Sequence, residues 1–178
     1  GSGIYIVGTN NNLTGNNANL TGSGSGIYLY QTGGYRSNGN TYLGNNILTS
    51  ILGKGIFIDS TFNNTLIGNT GTSNSSTGIY VYNADKNILT SNTGTSNSGS
   101  GIYISFGNNC TLTNNTGTSN SGSGLLSQGT NNQNIFINQI AIGYLVGSYG
   151  IRFGFDGYSS NNNKFIWART FYTYNSGI

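Results

Sequence analysis

Apolar and polar positions alternate in short bursts along this chain, and the bursts return on a fixed beat. Each burst opens with a glycine, then an aliphatic residue, an aromatic and a second aliphatic. It reads Gly3-Ile4-Tyr5-Ile6, Gly26-Ile27-Tyr28-Leu29, Gly55-Ile56-Phe57-Ile58, Gly78-Ile79-Tyr80-Val81 and Gly101-Ile102-Tyr103-Ile104. The pattern decays at Gly124-Leu125-Leu126-Ser127 and Gly150-Ile151-Arg152-Phe153, and restarts at Gly177-Ile178. Aliphatic residues two apart predict a strand with its second and fourth positions facing inward and its aromatic third position facing out. Glycine spacings of 23, 29, 23, 23, 23, 26 and 27 residues mark a repeat unit too short to bury a core alone.

Two more extended segments follow inside each unit. Leu43, Leu66, Leu89, Leu112 and Ile135 hold the twelfth position, once a six-residue insertion near Gln31 to Ser37 is allowed for. The fifteenth position is Asn17, Asn46, Asn69, Asn92, Asn115 and Asn138, an expected asparagine ladder. Asparagine suits a corner for two reasons: it tolerates left-handed backbone, and stacked amides pass hydrogen bonds from one layer to the next. A Thr-Gly-Thr-Ser-Asn stretch recurs at 70–74, 93–97 and 116–120, and its facing is left open by the pattern. Further insertions near 139–149 and 154–162 fall at corners, where they leave strand stacking undisturbed.

Three short strands per unit of about 23 residues describe an all-β solenoid of triangular section, with about seven coils in one domain over residues 1–178. On the Gly-Ile-Tyr-Ile strands, the asparagine- and leucine-bearing stretches such as Asn109 to Asn115, and the period itself, the chain resembles single-stranded right-handed parallel β-helix proteins. These are the NosD-like and pectate-lyase-like solenoids. The right-handedness is what the resemblance implies. The resemblance covers essentially the whole chain and specifies fold, not activity.

Composition narrows the function. Asn, Gly, Ser and Thr make up well over half the chain, yet regularly placed aliphatics and 12% aromatics predict order rather than a low-complexity coil. Six basic and three acidic residues are scattered without a basic cluster, which excludes phosphate-tracking surfaces and so nucleic-acid partners. Sparse charge also weakens repulsion between copies. Cys110 is the single cysteine and sits where earlier coils carry Asn64 and Asn87, so it reads as a buried filler with no disulfide to make. No apolar run reaches membrane-span length. The chain opens on Gly rather than Met without a signal peptide, read as a removed leader or a piece of something longer.

Relatives of this fold include polysaccharide lyases and hydrolases and copper-insertion proteins, and their chemistry sets a test. Hydrolysis needs two cooperating carboxylates, and lyases need clustered acids with a base. Asp59, Asp85 and Asp156 fall in separate places, and Asp59 reads as the partner of Lys54 in a local surface ion pair. There is no His and no Met for copper, and no base to activate a hydroxyl. The expectation is no enzyme, no cofactor and no metal.

Surface arrays remain. Tyr5, Tyr28, Phe57, Tyr80 and Tyr103, with Tyr30 and Tyr82 beside them, form an outward aromatic column expected to stack, to pack on another protomer, or to bind glycan rings. Thr70/Thr72, Thr93/Thr95 and Thr116/Thr118, if outward, resemble the Thr-x-Thr ranks of ice-binding solenoids. Asn12, Asn19, Asn63, Asn74 and Asn114 fit the glycosylation sequon. The in-phase start at Gly3, Ile4, Tyr5 and Ile6 and the aromatic last turn with Phe165, Trp167, Phe171, Tyr172, Tyr174 and Ile178 form a candidate end-to-end interface. The leading expectation is an extracellular or cell-surface structural subunit that assembles head to tail on itself. The alternatives are a segment of a larger adhesin or stalk, a carbohydrate-binding module and, behind them, an ice-binding face.

Overall fold

The glycine-led strands stack directly on one another in the computed structural model, which describes residues 1–30, 37–38, 41–145, 147–154 and 162–172. Seven of them, Ile4–Val7 through Tyr149–Gly154, form the first parallel sheet in strict coil order. A second seven-stranded sheet runs from Asn12–Thr14 to Lys164–Ile166, and a third from Asn17–Leu20 to Arg169–Tyr172. Every pairing is parallel: Ile27 lies on Ile56, Ile79 on Ile102, Leu66 on Leu89 and Thr72 on Thr95. The described residues thus wind as one all-β solenoid with the expected period. Ser37–Asn38 pair with Thr61–Phe62 as a small side sheet.

The core is a set of aliphatic columns. Ile27, Leu29, Ile56, Ile58, Ile79, Val81, Ile102 and Ile104 from the first sheet meet Leu43, Leu66, Leu89 and Leu112 from the second, all fully buried. Each such side chain contributes about 1.5–3 kcal/mol on leaving water. In the sixth coil the inward position belongs to Phe136, which lies on Leu112, and not to Ile135, which pairs with Thr111 and is only partly buried. The turn before it is one residue longer than in the preceding coils, and in a strand one residue reverses the face.

The cassette glycines have a steric reason. They lie where the first and third sheets press backbone on backbone, so there is no room for a Cβ. A methyl on the cassette Gly55 would sit 2.6 Å from the Gly78 carbonyl oxygen, and one on Gly71 of the third sheet 2.5 Å from that same oxygen and 2.8 Å from Ile79 Cγ1. In its three central coils the third sheet therefore buries only small residues, Gly71, Gly94 and Gly117 with Ser73, Ser96 and Ser119, while Leu48 holds the same inward column in the second coil. These serines pin the next corner. Ser73 Oγ donates to the Gly53 carbonyl at 2.6 Å and accepts the Ser76 N–H at 2.9 Å.

Two buried polar columns lie at the flanks of the second sheet. The first is Asn16, Asn46, Asn69, Asn92, Asn115 and Gln139. Each lower Oδ1 accepts both the backbone N–H and the side-chain Nδ2 of the residue above, at 2.9–3.0 Å from Asn16 down to Asn115. The Nδ2 of Asn115 passes the chain to Gln139 Oε1. Asn46, Asn69, Asn92 and Asn115 are ladder members as expected. Asn17 and Asn138 are not: both are exposed, one residue away from the true members. The turn between the first and second strands is a residue short in the first coil and a residue long in the sixth, which moves the column to Asn16 and Gln139. Asn138 instead occupies the corner just before the column, where every coil has positive φ: Gly15 68°, Asn45 52°, Gly68 65°, Ser91 55°, Asn114 55°, Asn138 49° and Trp167 56°. The left-handed preference of Asn and Gly thus acts one residue before the ladder.

The second column is Asn64, Asn87, Cys110, Asn134 and Asn163. Asn64 donates its N–H and Nδ2 to Asn87 Oδ1, at 3.0 and 2.9 Å, and Cys110 N–H donates to Asn134 Oδ1 at 2.7 Å. It too follows left-handed residues, among them Asn63, Lys86, Asn109 and Gln133. The repeat spacing alone marks this position as the slot that Cys110 shares with Asn64 and Asn87, and not as a hydrogen-bonded column.

Candidate functional site

The outer face of the first sheet carries the aromatic column. Parallel pairing puts Tyr5, Tyr28, Phe57, Tyr80 and Tyr103 in one line. Ring centroids are 4.8 Å apart for Tyr28–Phe57, 5.3 Å for Phe57–Tyr80 and 4.6 Å for Tyr80–Tyr103, with planes within 13°. Rings in this arrangement spend their faces on one another and turn edges outward. Tyr5, at the end of the line, is tilted 47° to Tyr28 and 55% exposed. Tyr30 and Tyr82 flank the line, tilted against Tyr28 and Tyr80 at 5.7 and 5.8 Å.

The few charges on this face are absorbed locally. Lys54 Nζ lies 4.5 Å over the Phe57 ring, a cation–π contact. The Asp59 carboxylate accepts from the Tyr28 hydroxyl at 2.9 Å and the Ser60 hydroxyl at 2.8 Å. The structure therefore replaces the expected Lys54–Asp59 pair with separate contacts for each residue, one for Lys54 and two for Asp59. Burial, then the bond to Asp59, pushes the Tyr28 phenol far up. Burial, then the neighbouring Tyr103, pushes Tyr80 up to about 12.

The outer face of the third sheet settles the facing of the Thr-Gly-Thr segment. Gly71 and Ser73 point in, so Thr70 and Thr72 point out, and likewise Thr93, Thr95, Thr116 and Thr118. The grid is in register across three coils and continues in Thr49 on one side. Beside it, an exposed amide column runs from Asn120 Nδ2 to Asn97 Oδ1 at 2.6 Å and from Asn97 Nδ2 to Asn74 Oδ1 at 3.2 Å. Between the two lies an open groove of about 230 Å³.

Groups that could do chemistry stay apart. Asp85 accepts from Asn108 N–H and Nδ2 at 2.8 and 3.0 Å at a corner, while Asp59 lies on the first sheet. Asp156 is outside the described residues. Among the described residues no group of three or more His, Cys, Asp or Glu gathers as a metal site. Cys110 is buried, and burial pushes its thiol up to about 11. No helix of the described residues is long and apolar enough to cross a membrane. Of the sequon asparagines, Asn12, Asn19, Asn74 and Asn114 are exposed, while Asn63 is partly covered.

At the first coil, Ile4, Ile6, Leu13 and Ala18 pack against the core but stay partly open, while the residues beneath them in the next coil, such as Ile27, Leu29, Leu43 and Leu48, are fully buried. Gly3 leads this edge. At the other edge Phe165, Phe171 and Trp167 are 41%, 49% and 82% exposed. Tyr172 pairs by backbone with Gly143, and Tyr174 and Ile178 lie outside the described residues.

A family model described as right handed beta helix region matches residues 2–166. No curated protein and no solved structure matches the chain.

Proposed function

Because the chain belongs to the right-handed β-helix family, we propose that it is a non-catalytic structural solenoid of the cell exterior, stacking head to tail on copies of itself. The unbroken parallel stacking of near-identical coils carries this reading. Each coil covers its neighbour with the same aliphatic columns, such as Ile27, Ile56, Ile79 and Ile102, and the same parallel strand pairing, so one coil is a fitting surface for another. In a parallel solenoid the two edges have opposite and matching polarity, so the last coil of one copy pairs with the first coil of the next. Such a heterologous contact does not close and gives an open filament. Seven strands per sheet would add about 33 Å of length per copy at the usual strand spacing. The near absence of charge favours approach, and the scattered, locally satisfied acids support a non-catalytic role. The stacked rings lend no support to a glycan platform, since their faces are already taken.

A concentration series followed by light scattering and negative-stain electron microscopy tests this. Rods that lengthen with concentration are expected, and Ile6→Lys in the first coil is expected to abolish them. A solution that stays monodisperse at the highest attainable concentration sinks the proposal. A longer shaft built from many such coils would use the same edge, and a single-copy rod of fixed length would point to it.

A further inference from the structure

The third sheet carries an outer surface unlike the other two. Over its five central coils the two outward columns read Ile47, Thr70, Thr93, Thr116, Ile140 and Thr49, Thr72, Thr95, Thr118, Ile142, between Asn17 and Asn19 in the first coil and Arg169 and Phe171 in the last. Every one of these positions over five coils is β-branched, and the central block is hydroxyl throughout. A β-branched side chain has little freedom at χ1, so methyl and hydroxyl are held at fixed points rather than sampled. The spacing is fixed by backbone geometry: about 4.8 Å between coils and about 6.7 Å between alternate residues. Across the three central coils the chain inserts nothing, so the grid is regular in both directions.

We propose that this face binds an ordered water lattice, that is, the surface of ice. The chemistry of the face selects among occupants. None of these ten positions is charged, which leaves nothing on the grid to hold an ionic ligand; the column meets a charge only at Arg169, beyond Ile140. None is aromatic, which removes the stacking platform a sugar would use; the stacked aromatic column is on the first sheet, and this column meets a ring only at Phe171, beyond Ile142. What remains is a flat alternation of methyls and hydroxyls. The Thr95 and Thr118 hydroxyls lie 3.2 Å apart and bond each other, and each hydroxyl keeps further capacity for water. The Asn74, Asn97 and Asn120 amides, tied to one another, add a third polar rank along the groove. Waters seated on such ranks inherit the protein's two-dimensional repeat, and a crystal face of matching repeat can grow onto them. This inference does not depend on head-to-tail assembly.

The test uses the purified full chain in an ice-recrystallisation and crystal-shaping assay. Wild-type protein is expected to slow recrystallisation and to give faceted crystals. Thr95→Lys, at the centre of the grid, is expected to raise the concentration needed by at least about tenfold, while Thr113→Lys on the second sheet leaves it unchanged. Far-ultraviolet circular dichroism confirms that each variant keeps its β signal, with Thr72→Lys replacing any variant that does not. Rounded crystals with the wild-type chain, or full activity in a folded grid variant, overturns the proposal.

Discussion

Asn92 gives both its backbone N–H and its side-chain Nδ2 to one atom, Oδ1 of Asn115, at 2.9 and 3.0 Å. The Oδ1 of Asn92 receives the same two bonds from Asn69, and its Nδ2 also reaches the Leu66 carbonyl at 2.9 Å. Each amide in the column is therefore donor and acceptor at once, with no water needed. Removing Asn92 strands groups on two neighbouring coils, and a stranded buried group costs about 1–3 kcal/mol. Asn92→Ala is expected to cost about 3–5 kcal/mol on that basis, read by chemical denaturation. Asn92→Asp is expected to be no better, because a carboxylate cannot donate to Leu66 O or to Asn115.

Cys110 interrupts the second column. The Asn87 backbone above it faces a thiol where other coils offer an amide oxygen. Cys110→Asn is expected to stabilise the chain by about 1 kcal/mol, the usual net gain from one buried hydrogen bond. At 178 residues that corresponds to a melting temperature higher by about 2–4 °C. Burial and the raised thiol pKa of about 11 further predict that thiol reagents label Cys110 only after unfolding.

Gly71 leaves no space for a methyl against the Gly78 carbonyl and Ile79. Gly71→Ala is expected to lose about 1–3 kcal/mol through overpacking, read as a lower denaturation midpoint. The outward neighbour gives the contrast: Thr72→Val should leave the midpoint nearly unchanged, since it replaces a surface hydroxyl by a methyl of equal shape.

Alkaline pH should loosen the first sheet. Tyr80 holds its proton up to about 12 when folded, against 10.0 for an ordinary tyrosine, and Tyr28 is raised as well. Between those values the unfolded chain carries fewer protons than the folded one, so stability falls as pH rises. Melting temperature is expected to be flat in this respect below pH 10 and to drop from there through about 12. Tyr80→Phe should flatten part of that drop, and phenolate absorbance should show a late-titrating class of tyrosines.

The columns were legible where the spacing is uninterrupted. From Ile58 to Leu66, Val81 to Leu89 and Ile104 to Leu112 the step is the same, and there the inward residues and Asn69, Asn92 and Asn115 follow directly from the period. At the first and sixth coils the turns differ by one residue, and a fixed count lands on Asn17, Ile135 and Asn138 instead of Asn16, Phe136 and Gln139. Neighbouring asparagines at 16–17 hid the slip, because both candidates carry the same side chain. The facing of the threonines was hidden for another reason: neither Thr nor the Gly and Ser between them is strongly apolar. The clue was Ala18, Leu48 and Ala141, which share the column of Gly71 and mark it as the inner one. The ring stacking that closes off the aromatic faces is a matter of rotamers, which no periodicity encodes.

The polar columns run the length of the prism parallel to its axis, and that direction has a mechanical consequence. Tension applied along the axis loads the sheet bonds and the amide bonds of one coil boundary together. A break at one boundary leaves its neighbours intact, so under pulling the molecule should pay out chain in steps of about one coil. Each step begins from whichever end has lost its covering layer.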